Sequence, residues 1–193
     1  MGRSLFVGGV AAVLLMCPSA GGEEAVSAPS ADGPSPQAVA AMHLLEATDL
    51  YQRQLGFLRL EALREPSTLE TIRAYISHRD PQTRAYSLRA LAAIEGVPAI
   101  PVLLHALRTD KYPRVRRAAL LALEPLARND AEVLPALLDA LRDWSPEVRM
   151  AAVDIVSRIN DPRAREAILI RYRRERVRDV RRVLTLAMKR LRE

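Results

Sequence analysis

Aromatic residues are scarce in this chain, with two Phe, one Trp and five Tyr among 193 residues. The single cysteine, Cys17, rules out an internal disulfide. The three histidines, His43, His78 and His105, stand nowhere three or four residues from one another, and no His-Glu dipeptide occurs. The helical spacing that points two ligands at one metal ion is therefore missing, and neither a metal nor a cofactor is expected. No glycine-rich phosphate loop, nucleophile elbow or Cys/His couple is present. These absences remove the familiar catalytic devices, and the expectation from sequence is a chain that is not an enzyme. The apolar run Leu5–Met16 is too short for a stable membrane span.

About half of the residues are apolar, and they are mainly alanine and leucine. That suits stacked helices. The stretch 131–160 sets the pattern. Asn129 and Glu132 have capping-box spacing, and Val133, Leu134, Leu137, Leu138 and Leu141 follow as an apolar stripe. Ser145 before Pro146 starts a second helix, with Val148, Ala152, Ile155 and Val156 on one face. Val-Arg pairs recur at Val115-Arg116, Val148-Arg149 and Val180-Arg181, with Thr83-Arg84 as a looser copy. The arginines are 32, 33 and 32 residues apart. A fixed period in this range means one two-helix unit stacked on copies of itself.

In these residues the chain resembles the HEAT-repeat family, in particular the short HEAT-like repeats of phycobilisome lyases. Leu134-Pro135-Ala136-Leu137-Leu138, Asp143, Pro146, Val148-Arg149 and Ala152 carry the likeness. So do Ile100 to Leu104, Asp110, Pro113, Val115-Arg116 and Ala119. The resemblance covers residues 66–193. It implies an all-α fold: a right-handed α-α superhelix of about four helix pairs, with residues 37–64 as an N-terminal capping helix or helices. The expected pairs are 67–78 with 81–94, 97–108 with 113–127, 131–142 with 146–159, and 162–175 with 178–192. Gly56 is expected to break or bend the cap, and Ser67 with Glu70 to open the first pair as a capping box. Pro101, Pro125 and Pro135 are expected to bend helices. The resemblance also implies that the ladder Arg84, Arg116, Arg149 and Arg181 is structural. Its arginines would pair with the turn acids Asp80, Asp110, Asp143 and Asp179 and with carbonyls of the neighbouring repeat.

The segment ahead of the repeats has a different character. Residues 1–20 read as a signal peptide, with Arg3 ahead of the apolar run. Leu14-Leu15-Met16-Cys17 resembles a bacterial lipobox, which makes Cys17 the candidate for lipidation and membrane anchoring; ordinary cleavage after Ala20 or Gly21 is the alternative. Residues 18–36, rich in Pro, Ser, Ala, Gly and Glu, read as a disordered tether. The expected location is therefore the periplasm or cell envelope.

Second-helix positions that point away from the apolar stripe are the candidates for meeting a partner: Arg89, Arg117, Leu121, Met150, Asp154, Arg182 and Leu186. They mix charge with apolar groups, which suits a protein or peptide on the concave face better than a uniform phosphate backbone. Charge is uneven: residues 161–193 carry twelve Lys/Arg against five Asp/Glu, and the other 160 carry 17 against 18. The basic stretch from Arg171 to Arg182 therefore leaves polyanion binding, to nucleic acid or anionic lipid, as one alternative. A HEAT-like enzyme of the bilin-lyase or deoxyhypusine-hydroxylase kind is the other. The leading expectation is an exported scaffold or adaptor without catalysis.

Overall fold

A computed structural model describes residues 33–127 and 130–191, and every regular element among them is helical. Cys17, the leader, most of the tether and Asn129 lie outside the described residues. Ten α-helices run in order: α1 (Pro36–Leu45), α2 (Leu50–Leu63), α3 (Leu69–Ala74), α4 (Pro81–Glu95), α5 (Ile100–Thr109), α6 (Pro113–Leu123), α7 (Val133–Ala140), α8 (Pro146–Val156), α9 (Pro162–Arg174) and α10 (Arg178–Arg190). The fold class is all-α, a solenoid of helix pairs.

The second helices stack directly on one another in the order α2, α4, α6, α8 and α10. The seam is built from the periodic apolar set. Ser87, Ala119 and Ala152, three residues past the ladder arginines, are fully buried, and their small side chains let the helices come close. Leu88, Leu120 and Val153, one residue further on, are buried as well. Each fully buried aliphatic side chain contributes about 1.5–3 kcal/mol before ordering entropy is subtracted. One pair alone has too few such groups; stacking supplies the rest.

The segment expected to form a capping helix or helices holds two. It is itself a pair, α1 and α2, and α2 occupies the place that second helices hold further along. Gly56 does not break α2, which runs on through it. Gly56 is instead the point of closest approach to α1: a Cβ there would lie 2.7 Å from Leu45 Cδ2 and 2.8 Å from the Ala41 carbonyl oxygen. Ser35, assigned to the tether, is the N-cap of α1. Its hydroxyl accepts from the Ala38 N–H at 3.1 Å and donates to Glu65 Oε1 at 2.6 Å, fastening the start of the domain to the end of α2.

Several helix starts also differ. Pro66–Thr68 form a 3-10 turn before α3, and Ser67 makes no cap; Thr68 Oγ1 donates to the Glu65 carbonyl instead. Ser145 occupies the N-cap of α8, yet its hydroxyl caps nothing. Asp143 Oδ1 accepts the Ser145 N–H at 2.7 Å. Asp80 and Asp161 do cap α4 and α9. The prolines avoid helix interiors. Pro101 and Pro135 lie in the first turns of α5 and α7, where their missing N–H has no intrahelical acceptor to lose. Pro125 lies in a 3-10 turn, Glu124–Leu126, that ends α6 before its expected limit.

Candidate functional site

Two features stand out on the row of second helices: a groove along their outward face and the arginine ladder at their starts. The groove, about 530 Å3, spans α6, α8 and α10. Leu121, 40% exposed, and Leu186, 52% exposed, face into it. Met150, Val183 and Ala187 add apolar surface, and Arg117, Glu147, Asp154 and Arg190 supply charge. Five of the sequence-selected partner positions thus share one groove: Arg117, Leu121, Met150, Asp154 and Leu186. Two do not. Arg89 is held by Glu61 of α2, with Nη2 3.1 Å from both carboxylate oxygens. Arg182 is exposed on α10 but lies outside the groove lining.

One edge of the groove is set by an ion-pair network. Asp154 receives Arg158 at 3.3 Å and Arg190 at 3.2 Å, and Arg158 also reaches Glu124 at 2.8 Å. These groups are half or more exposed except Glu124, so each pair adds at most about 1 kcal/mol to stability. Their effect is to hold long side chains along the groove wall.

The ladder has a regular geometry that differs from the expected one. Each of the first three arginines donates to a carboxylate of the next repeat and to a carbonyl of its own turn. Arg84 Nε–H and Nη2–H meet Asp110 at 2.8 and 3.0 Å, and Arg116 meets Asp143 at 2.7 and 2.8 Å. Arg149 meets Glu175 at 2.9 and 3.0 Å. The Nη1–H groups return to the carbonyls of His78, Asp110 and Asp143, each six residues earlier, at 2.8, 2.8 and 2.9 Å. Bidentate pairing of this kind fixes both distance and plane. Asp80 is therefore no partner for a ladder arginine; its carboxylate accepts the Thr83 N–H and hydroxyl, each at 2.7 Å. Asp179 stays exposed without an ion-pair partner among the described residues. Glu175, passed over in sequence, takes the last acid position. The missed signal was register: Asp110, Asp143 and Glu175 each stand six residues before an arginine of the ladder, whereas Asp80 and Asp179 do not.

Aromatic rings accompany the ladder. Arg116 Cζ lies 4.3 Å from the Trp144 ring centre and Arg84 Cζ 5.4 Å from that of Tyr112, within cation–π range. Glu175 is nearly inaccessible to solvent. Burial alone would push its carboxyl up, but hydrogen bonds from Arg149, the Val177 N–H and Arg171 outweigh that and hold it at about 2. Arg171 of the basic C-terminal stretch is consumed inside the fold in this way, because it also serves Glu175, whereas Arg163, which meets Asp161, stays exposed.

Comparison with known proteins bears on the repeat that carries both features. A family model described as HEAT repeats matches residues 40–124 and 115–189, reaching back into the segment read from sequence as a cap. The complex of CpcE and CpcF of phycocyanin lyase from Nostoc sp. PCC7120 is similar, with 25% identity and a TM-score of 0.62, over 78% of this chain and 96% of that one. A crystal structure of an engineered protein matches at 18% identity and a TM-score of 0.50, over 80% and 79% of the two chains, which bears on fold alone. No curated protein matches in sequence. The lyase likeness overturns the expectation that the chain is not an enzyme. That expectation rested on missing local motifs, and the same fold serves in a lyase at 25% identity, so such motifs are a poor guide here. What remains common to all these observations is the repeat itself, and the chain belongs to the HEAT-repeat family.

Proposed function

We propose that this chain is a HEAT-repeat docking module that seats a protein partner in the groove across α6, α8 and α10, on the concave side of the solenoid. The observation that carries this reading is the convergence of Leu121, Met150 and Leu186 with Arg117, Asp154 and Arg190 on one face. Apolar groups of that size, standing in water, lose accessible area only when another surface covers them. The charged rim supplies orientation. Direct stacking of the second helices supports their being the inner row, because the tighter side of a curved stack is the side whose helices touch. A likeness to a complex of two proteins agrees with a protein as the partner.

The test is photo-crosslinking from Met150 in envelope extracts, with wild type compared against the double variant Leu121→Glu, Leu186→Glu. A discrete adduct should form with wild type and fall at least tenfold with the variant, while the variant's thermal midpoint stays within a few degrees because both side chains are already exposed. An equal yield from both would refute the groove as the docking site. The lyase likeness favours a second reading, in which the seated protein is the substrate of a lyase-type reaction on an attached pigment. Visible absorbance carried by the cross-linked partner, changing on incubation with the purified chain, is its signature.

We further propose that the module is exported and tethered through Cys17. The lipobox-like Leu14-Leu15-Met16-Cys17 and the composition of 18–32 support that reading. Mass spectrometry of the mature N-terminus should find a diacylglyceryl-modified Cys17; an unmodified terminus near Ala20 would show plain export instead.

A further inference from the structure

Three rungs of the ladder are complete, and at the fourth the arginine keeps the register, with a looser carbonyl contact and no acid. In the complete rungs the Nε–H and Nη2–H of the arginine grip both oxygens of one carboxylate, while Nη1–H is tied to the turn carbonyl six residues earlier. Arg181 keeps the same register: its Nη1 faces the Glu175 carbonyl, six residues earlier, at 3.5 Å. Its Cζ lies 5.4 Å from the Tyr172 ring centre, the distance at which Arg84 meets Tyr112. Tyr172 comes from α9 of its own pair, so the support does not depend on a following repeat. Among the described residues no carboxylate meets Arg181, and its side chain is exposed.

The surface around this fork has changed character as well. The residue four past the ladder arginine is Leu88, Leu120 or Val153 in the inner repeats, and all three are buried. On α10 it is Thr185, which is exposed and donates to the Arg181 carbonyl. Arg178 and Arg182 are exposed beside it. Such a face does not extend the apolar seam. It offers a planar, partly preset guanidinium fork within a basic surround.

We propose that this end face is a docking surface for a protein partner that presents an aspartate or glutamate from the turn ahead of a helix, gripped by Arg181 as Asp110, Asp143 and Glu175 are gripped inside the fold. A carboxylate is favoured over a phosphate polyanion by the three internal precedents. Asp179, exposed two residues before Arg181, also disfavours a continuous run of phosphates across the same spot. This surface is distinct from the groove, and either can fail without the other.

The test follows the Arg181 Nε–H resonance of the 15N-labelled full chain at fixed ionic strength. The probe is a synthetic peptide of residues 142–155, which carries Asp143 at its turn; the control peptide has Asp143→Asn. The Asp peptide should shift the Arg181 resonance, and the Asn peptide should bind at least tenfold more weakly. Arg181→Lys, which keeps the charge but loses the fork, should weaken the Asp peptide at least tenfold, whereas Arg178→Lys should change it less than twofold. Peptides of equal effect, or no shift with either, would overturn the proposal. So would a larger Arg181 shift with phosphatidylglycerol vesicles or duplex DNA, each of which would reassign the face to that polyanion. Unchanged thermal midpoints of both lysine variants separate a lost contact from a lost fold.

Discussion

Arg116→Ala should lower the free energy of unfolding by about 3–5 kcal/mol. The Arg116 side chain is 3% exposed and that of Asp143 8%, so removing the cation strands a carboxylate in the seam between α6 and α8. The Asp110 carbonyl loses its Nη1–H donor at the same time, and the Trp144 ring loses the cation lying against it. Denaturant unfolding followed by helical circular dichroism reads the loss. Asp143→Ala should cost a similar amount, and the double variant clearly less than the sum, because each single change includes the penalty of an abandoned charge. Arg84→Ala should cost less, since that pair, 11% and 14% exposed, is partly solvated. Arg181→Ala, with no carboxylate to strand among the described residues, should fall within about 0.5 kcal/mol of wild type. Equal losses at Arg116 and Arg181 would show that the carboxylate pairing does not stabilise the stack.

Acid should loosen the C-terminal pair before the rest, and Glu175 sets the window. Its carboxyl titrates near 4.5 when unfolded and at about 2 when folded. A lowered folded value means that the unfolded chain binds the proton first as pH falls. The stabilisation is therefore complete above about 4.5 and is lost progressively between 4.5 and about 2. Glu175→Gln keeps the shape, removes the charge, and leaves Arg149 buried without an anion. At pH 7 it should cost about 3–5 kcal/mol, and stability between pH 2 and 4.5 should then vary less with pH than in wild type. Hydrogen exchange at α9 and α10 across that range is the measurement. Wild-type protection there that does not fall below pH 4.5 would show that Glu175 does not anchor the pair.

Both results depend on residues whose partners were only half legible. The period of the arginines was plain, because a 32- or 33-residue spacing survives any uncertainty in helix limits. Which acid each arginine meets was not. The local turn offered Asp80 and Asp179 close by, and the actual partners come from the next repeat, 26 or 27 residues on. The groove was legible to the extent that outward positions on successive second helices had to align. Arg89 left that set because Glu61, on a helix without the repeat signature, lies opposite it. Gly56 shows the same limit: a glycine in a helix reads as a weak point until a second helix is seen resting on it.

The sequence alone determined the class of fold and its period, because apolar spacing and small residues at fixed offsets are properties of one helix pair repeated. It also determined where charge accumulates. Tertiary structure decided which acids close the ladder, which prolines are harmless, and which outward side chains share a groove. Those outcomes depend on contacts between residues distant in sequence, whose geometry is set only when one pair stacks on the next.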